Sequence, residues 1–106
     1  MLRIRSLKNR KLIDQLFGSK LFVVENQIKV CKDNGKETPA FFCVSVPKRC
    51  FKRAVDRNKV KRRIKSALNN IKINLNGNYL ITYNSLNIMS YHKIEKTLTE
   101  IFKVLK

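Results

Sequence analysis

The chain has 106 residues, enough for one domain that buries roughly two-thirds of its unfolded surface, and a hydrophobic content of 43% excludes a disordered basic tail. Charge is the outlier: 24 Lys and Arg stand against 7 Asp and Glu, a formal net charge of +17, with a pI near 10.3. Such a field favours RNA, DNA or an anionic membrane surface as partner, while the lack of any apolar run near 18 residues excludes a spanning helix.

Taken in order, Ser6 is a candidate N-cap for a first helix from about Leu7 to Phe17, which Gly18 ends. Leu12, Ile13, Leu16 and Phe17 lie on one face of it and Lys8, Arg10 and Lys11 on the other. Leu21 to Val24 and Gln27 to Lys32 read as strands. In the second, Ile28, Val30 and Lys32 alternate with Lys29 and Cys31, a half-buried pattern. Asp33-Asn34-Gly35 is a turn signal. After Pro39, Ala40 to Val46 is apolar on both faces except Ser45, which predicts a strand inside the sheet, closed by Pro47. A helix follows from Arg53 or Asp56 to Ile71, with Val60, Ile64, Ala67 or Leu68, and Ile71 forming its apolar stripe. Asn76-Gly77-Asn78 turns the chain into a strand from Tyr79 to Tyr83. Ser85 to Met89 is loop, and Ser90 caps a last helix, Tyr91 to Leu105, whose stripe is Tyr91, Ile94, Leu98, Ile101, Phe102 and Leu105.

The expected architecture is α+β, residues 1–106 as a single RNA-binding domain, in the order α-β-β-β-α-β-α. The sheet is expected to be mostly antiparallel, with the helices packed on it. The strand at 40–46, the helix at 53–71 and the strand at 79–83 form a β-α-β unit, for which the general rule is a right-handed crossover.

The informative stretch is 48–65. It holds ten Lys or Arg and one acidic residue, Asp56, so it supplies more than half of the net charge in under a fifth of the length. Arg57, Lys61 and Lys65 form a row at i, i+4 and i+8, with Asn58 and Arg62 beside it. Like charges at that spacing repel by a few tenths of a kcal/mol each, roughly, so the row does not serve the helix's own stability. An anionic partner makes sense of it. Arg grips phosphate or a base edge with two parallel bonds, and Lys acts as a point charge. Asn58 can read a base edge or a 2′-hydroxyl, or can serve its own helix start. Nucleotide bias in the genome explains a preference for Lys and Asn, but not the imbalance between bases and acids.

Protein-borne catalysis finds little support. His92 is the single histidine and has no nucleophile pattern beside it, the carboxylates are scattered, and three Gly make no phosphate loop. Cys31, Cys43 and Cys50 lack metal-ligand spacing; Cys31 and Cys43 sit in apolar runs and read as reduced, buried thiols, which fits a cytoplasmic protein. Aromatic rings over a basic floor would stack bases splayed from a single strand. Phe17, Phe41, Phe42, Tyr83 and Phe22 are candidates, most of them needed by the core. Phe17 is favoured because Ile13 and Lys20 can line a groove with it between the first helix and the sheet.

The run Val46-Pro47-Lys48-Arg49-Cys50-Phe51-Lys52-Arg53-Ala54-Val55-Asp56-Arg57-Asn58-Lys59-Val60-Lys61-Arg62 resembles the signature of the bacterial ribonuclease P protein subunit, in which a strand ending in two basic residues leads into an Arg-Asn-Arg helix followed by Lys-Arg. The resemblance is sharp from Val44 to Leu68 and covers the rest in outline. It implies the fold of the second domain of ribosomal small-subunit protein five, with a left-handed crossover where the general rule gives a right-handed one. It implies that this chain binds a catalytic RNA and the 5′ leader of precursor tRNA. The RNA, with Mg ions that it chiefly binds itself, would cut the leader. One protein per RNA is expected, with no membrane and no catalytic residue in the protein.

Carried over by position, Arg57, Asn58, Lys61 and Arg62 match the motif, and Lys48, Arg49 and Arg53 match its basic flank; Lys52, Lys59 and Lys65 complete the expected RNA-binding set. Phe17 matches an aromatic of the leader-binding cleft, with Ile13, Lys20 and Cys31 completing that group. The chain departs from the pattern at Lys59, where the motif has Arg, and at Lys65-Ser66, where Arg-Glu is usual. Ile13 and Cys31 stand where the cleft usually has aromatics. The alternative from a different class is a structural ribosomal RNA-binding protein with no processing role.

Overall fold

Two side-chain periods, near two and near 3.6, alternate along the chain and set its elements. The computed structural model describes residues 5–6, 10–18, 21–32, 41–71 and 77–105. Their order is β1 (Arg5–Ser6), α1 (Arg10–Phe17), β2 (Phe22–Glu25), β3 (Ile28–Lys32), β4 (Phe41–Ser45), α2 (Ala54–Asn70), β5 (Asn78–Tyr83) and α3 (Tyr91–Leu105). The strands form one sheet in the order β1-β4-β5-β3-β2. The pairings β1–β4 and β4–β5 are parallel, and β2–β3 and β3–β5 are antiparallel. The sheet is therefore mixed, not mostly antiparallel as expected. Parallel β4 and β5 are joined through α2, the β-α-β unit anticipated from sequence.

The strand faces sort by parity. Ile28, Val30, Phe42, Val46, Tyr79, Ile81 and Tyr83 join Val60, Ile64, Ala67 and Leu68 of α2 and Ile94, Leu98, Ile101 and Phe102 of α3 in one buried cluster. Its centre is aromatic. Phe42 stacks on Tyr79 with ring centroids 5.3 Å apart, and Phe102 meets both edge-on at 6.1 and 5.5 Å. On the opposite face Leu16 of α1 covers Cys31 and Leu80, with Ile13, Phe41 and Cys43 packed around them. Cys31 is fully buried, as its apolar run predicts for the thiol, because β3 is covered on both faces rather than on one.

Local chemistry explains most boundaries. The Ser90 hydroxyl accepts the Lys93 N–H at 3.3 Å and caps α3 as expected. Gly77 takes φ 91° at the start of β5 and its carbonyl accepts the Phe41 N–H at 3.0 Å. Ser6 is not a helix cap: it sits in β1, paired with Phe42 of the neighbouring strand. Phe17 ends α1 but does not share the burial of Leu16; it is 54% exposed. The expected turn at 33–35, Lys20, and the residues just before α1 lie outside the described residues.

Candidate nucleic-acid interface

All ten expected RNA-binding residues lie on α2 or on the turn that leads into it. Lys48, Arg49, Lys52, Arg53, Asn58, Lys59, Arg62 and Lys65 are exposed, and Arg57 and Lys61 are half-buried. The helix presents them because its other side must be apolar: Val60, Ile64, Ala67 and Leu68 fasten it to the core. Its N-cap is Arg53, with extended backbone and no side-chain capping bond. Asn58 thus does not cap the helix, and its amide faces solvent.

The turn is anchored from several directions. Cys50 N–H donates to the Pro47 carbonyl at 3.0 Å, and the Cys50 thiol contacts the Tyr83 carbonyl at 3.6 Å. The Phe51 ring lies 6.0 Å from that of Tyr83. Arg49 donates to Oδ1 of Asn84 at 2.6 Å. Arg57 turns its guanidinium back to the turn, and one nitrogen donates to the carbonyls of Phe51 at 2.8 Å and Lys52 at 3.0 Å. Arg63, which the sequence reading left unassigned, donates to the Met89 carbonyl at 2.6 Å across the loop before α3.

Cys43 packs on the α1 face of the sheet, around Leu16, Cys31 and Leu80. This thiol is pushed above its usual value because burial outweighs the opposing pull of Lys61 and Lys65, whose ammonium groups lie close enough to act on it. Cys43 is opposite Leu80, Leu80 is opposite Cys31, and Cys31 is opposite Phe22, so one row crosses four strands from β4 to the sheet's far edge at β2. At that edge Phe22 is 47% exposed, with the Lys29 ammonium 4.5 Å from its ring centre. Phe17 stands exposed at the end of α1.

The cleft residues expected from sequence are therefore redistributed. Ile13 is half-buried at the base of α1 and Phe17 is open. Cys31 lies under Leu16 and Leu80 at 1% exposure, so it supports the floor and touches no ligand. Phe22 had been one ring among several candidates; strand register singles it out, together with Lys29. The available signal was the alternation of β2, which puts Phe22 and Val24 on one face and Val23 on the other. Among the described residues no three His, Cys, Asp or Glu side chains converge to hold a metal.

A basic helix flanking a ring-bearing sheet face suits a single-stranded polyanion. The family model for Ribonuclease P matches residues 1–106. The chain belongs to the ribonuclease P protein family. It is thereby assigned a subunit role in tRNA 5′ processing, with ribonuclease P RNA as partner. Solved ribonuclease P proteins share its fold. The Staphylococcus aureus protein matches with TM-score 0.79 at 20% identity, over 100% of this chain and 97% of that one. A Staphylococcus aureus mutant described as defective in mRNA degradation activity matches with TM-score 0.74 at 20% identity, over 93% and 86%. The Thermotoga maritima protein matches with TM-score 0.73 at 15% identity, over 96% of each chain. No curated protein matches significantly. Among the described residues no helix is long and apolar enough to cross a membrane.

Proposed function

We propose that this ribonuclease P protein acts as an electrostatic and stacking cofactor to a catalytic RNA. The exposed cations of α2 and of the turn at 48–53 neutralise phosphates of the RNA subunit. The cleft between α1 and the sheet receives the single-stranded 5′ leader of precursor tRNA, whose bases stack on Phe17 and Phe22 beside Lys29. The RNA cuts the leader with magnesium ions that it chiefly holds itself. The protein would assist by lowering the repulsion between two RNAs and so strengthening substrate and metal binding. One protein per RNA, in the cytoplasm, completes the reading.

One observation carries this proposal: the cations of α2 and its leading turn stand exposed on a domain whose sheet also presents an open Phe22 ring with Lys29 over it. One chain thus offers both a patch that grips phosphate and a patch that stacks bases. The test is reconstitution with ribonuclease P RNA at low magnesium, following removal of the 5′ leader. Stimulated cleavage, with precursor bound more tightly than mature tRNA, is the expected result. Tight binding to ribosomal subunits with no stimulation would replace the proposal with a structural ribosomal role.

A further inference from the structure

The motif helix carries six cations, Arg57, Lys59, Lys61, Arg62, Arg63 and Lys65, and on composition alone all of them would count as phosphate contacts. Their bonding divides them. Among the described residues, the side chains of Arg62, Lys59, Lys61 and Lys65 make no hydrogen bond. Arg57 is half-buried and spends one guanidinium nitrogen on two main-chain carbonyls, those of Phe51 and Lys52. Those carbonyls belong to the segment joining β4 to α2, which has no regular secondary structure to hold it. The helix that follows has no side-chain cap, so the segment lacks the usual device for fixing a helix start. It is also where Lys48, Arg49, Lys52 and Arg53 stand exposed.

Resting on the proposed RNA contact, we infer that Arg57 is a positioning residue: it does not bind phosphate but fixes the turn at 48–53 so that the turn's own four cations meet the RNA in a set arrangement. Repulsion among Lys48, Arg49, Lys52 and Arg53 drives the turn apart. Two charge-assisted bonds from Arg57 oppose that, since an ionised donor on a carbonyl is stronger than a neutral one. Cys50 and Phe51 pin the turn to the core at Tyr83, and Arg49 reaches Asn84 on the other side. Arg63 repeats the device next door, its guanidinium holding the Met89 carbonyl of the loop that begins at Asn84. The turn and that loop are thus braced by one arginine each and joined through Arg49. Lysine is a poor substitute in this role: its strongly hydrated ammonium retains the charge but ends a shorter side chain and lacks the terminal guanidinium nitrogen that reaches past the helix start to both carbonyls.

The test has two arms. In the first, RNA affinity is measured for Arg57→Lys, for Lys48→Ala/Lys52→Ala/Arg53→Ala, and for all four changes together, at a temperature where circular dichroism shows each protein folded. Arg57→Lys should weaken binding about tenfold, the scale of one charge-assisted hydrogen bond, although net charge is unchanged. In the triple-alanine background the same change should cost under about twofold, because three of the four residues it acts through are gone and the fourth, Arg49, is held separately by Asn84. Wild-type affinity for Arg57→Lys, or an undiminished tenfold loss in the triple background, would overturn the inference.

The second arm needs no variant and so escapes misfolding. Side-chain nitrogen NMR of the wild-type protein should show the Arg57 guanidinium slowed in rotation before RNA is added and unmoved after, while Arg62 shifts on binding. An Arg57 signal that moves like that of Arg62 makes it a phosphate contact. Failure of the wild-type protein to bind ribonuclease P RNA would strike the parent proposal instead, while the free-protein signal would still report on the brace.

Discussion

The two faces of the sheet are built to different standards. Under α2 and α3 lies a continuous core with three rings in mutual contact, Phe42, Tyr79 and Phe102. Under α1 lie three fully buried residues, Leu16, Cys31 and Leu80, fringed by half-buried ones and by the open rings of Phe17 and Phe22. A small domain of high net charge has little stability to spare. Concentrating burial on one face leaves the other free to expose aromatic and cationic groups, which stabilise the fold little and suit nucleic acid well.

The contrast should be largest in unfolding experiments. Phe102→Ala removes a ring packed against two others, and should cost about 3–5 kcal/mol by urea denaturation. Phe17→Ala, made where the ring is more than half exposed, should stay within about 0.5 kcal/mol. Comparable losses for both would break the distinction between the faces. Next in size is the effect on substrate. Phe17→Ala and Phe22→Ala should each weaken precursor tRNA by about 1–3 kcal/mol if a base stacks there, and leave mature tRNA unchanged. Equal weakening for both RNAs would return these rings to a structural role.

A smaller effect separates the two outward-facing helices. Arg62→Ala on α2 should flatten the logarithmic salt dependence of RNA binding by about 0.7 to 0.9, the share of one phosphate contact. Lys103→Ala, on the exposed side of α3, should leave that slope unchanged. Equal slopes for wild type and the Arg62 variant would take α2 out of the interface.

How far the sequence foretold this depends on which side of an element one considers. The stripes of α2 and α3 were readable because a helix against a large core has to repeat its apolar residues every three or four positions. Both Ala67 and Leu68, offered as alternatives, are buried. Periodicity puts Phe17 on the same helix face as Leu16, yet α1 ends at Phe17 and the ring is open, as a cleft residue requires. Ser6 looked like a cap because capping is local chemistry, whereas its pairing with Phe42 joins residues far apart in the chain. Cys31 was half-legible: alternation gave its face correctly, but not the helix lying on that face. Within the site, charge marked the helix, and nothing in charge could separate Arg57, which holds carbonyls, from Arg62, which holds none.

The smallest effect concerns the seam between the two patches, and Cys43 reports on it. Burial raises its pKa, so at neutral pH the thiol stays protonated and alkylation is slow. The rate should climb with pH through a midpoint above the ordinary thiol value. Lys61 and Lys65 pull the other way by stabilising the thiolate. Lys61→Ala/Lys65→Ala should therefore move the midpoint still higher and slow alkylation at a fixed pH by roughly a factor of two to three, a modest change because partly exposed charges are screened by salt. Peptide mass spectrometry after timed alkylation isolates Cys43 from the two buried thiols. Bound RNA, by neutralising the same ammonium groups, should slow Cys43 in the wild-type protein and add little in the double variant. Were Cys43 indifferent to both changes, the basic row would lie too far from the sheet face for one strand of RNA to touch the two at once.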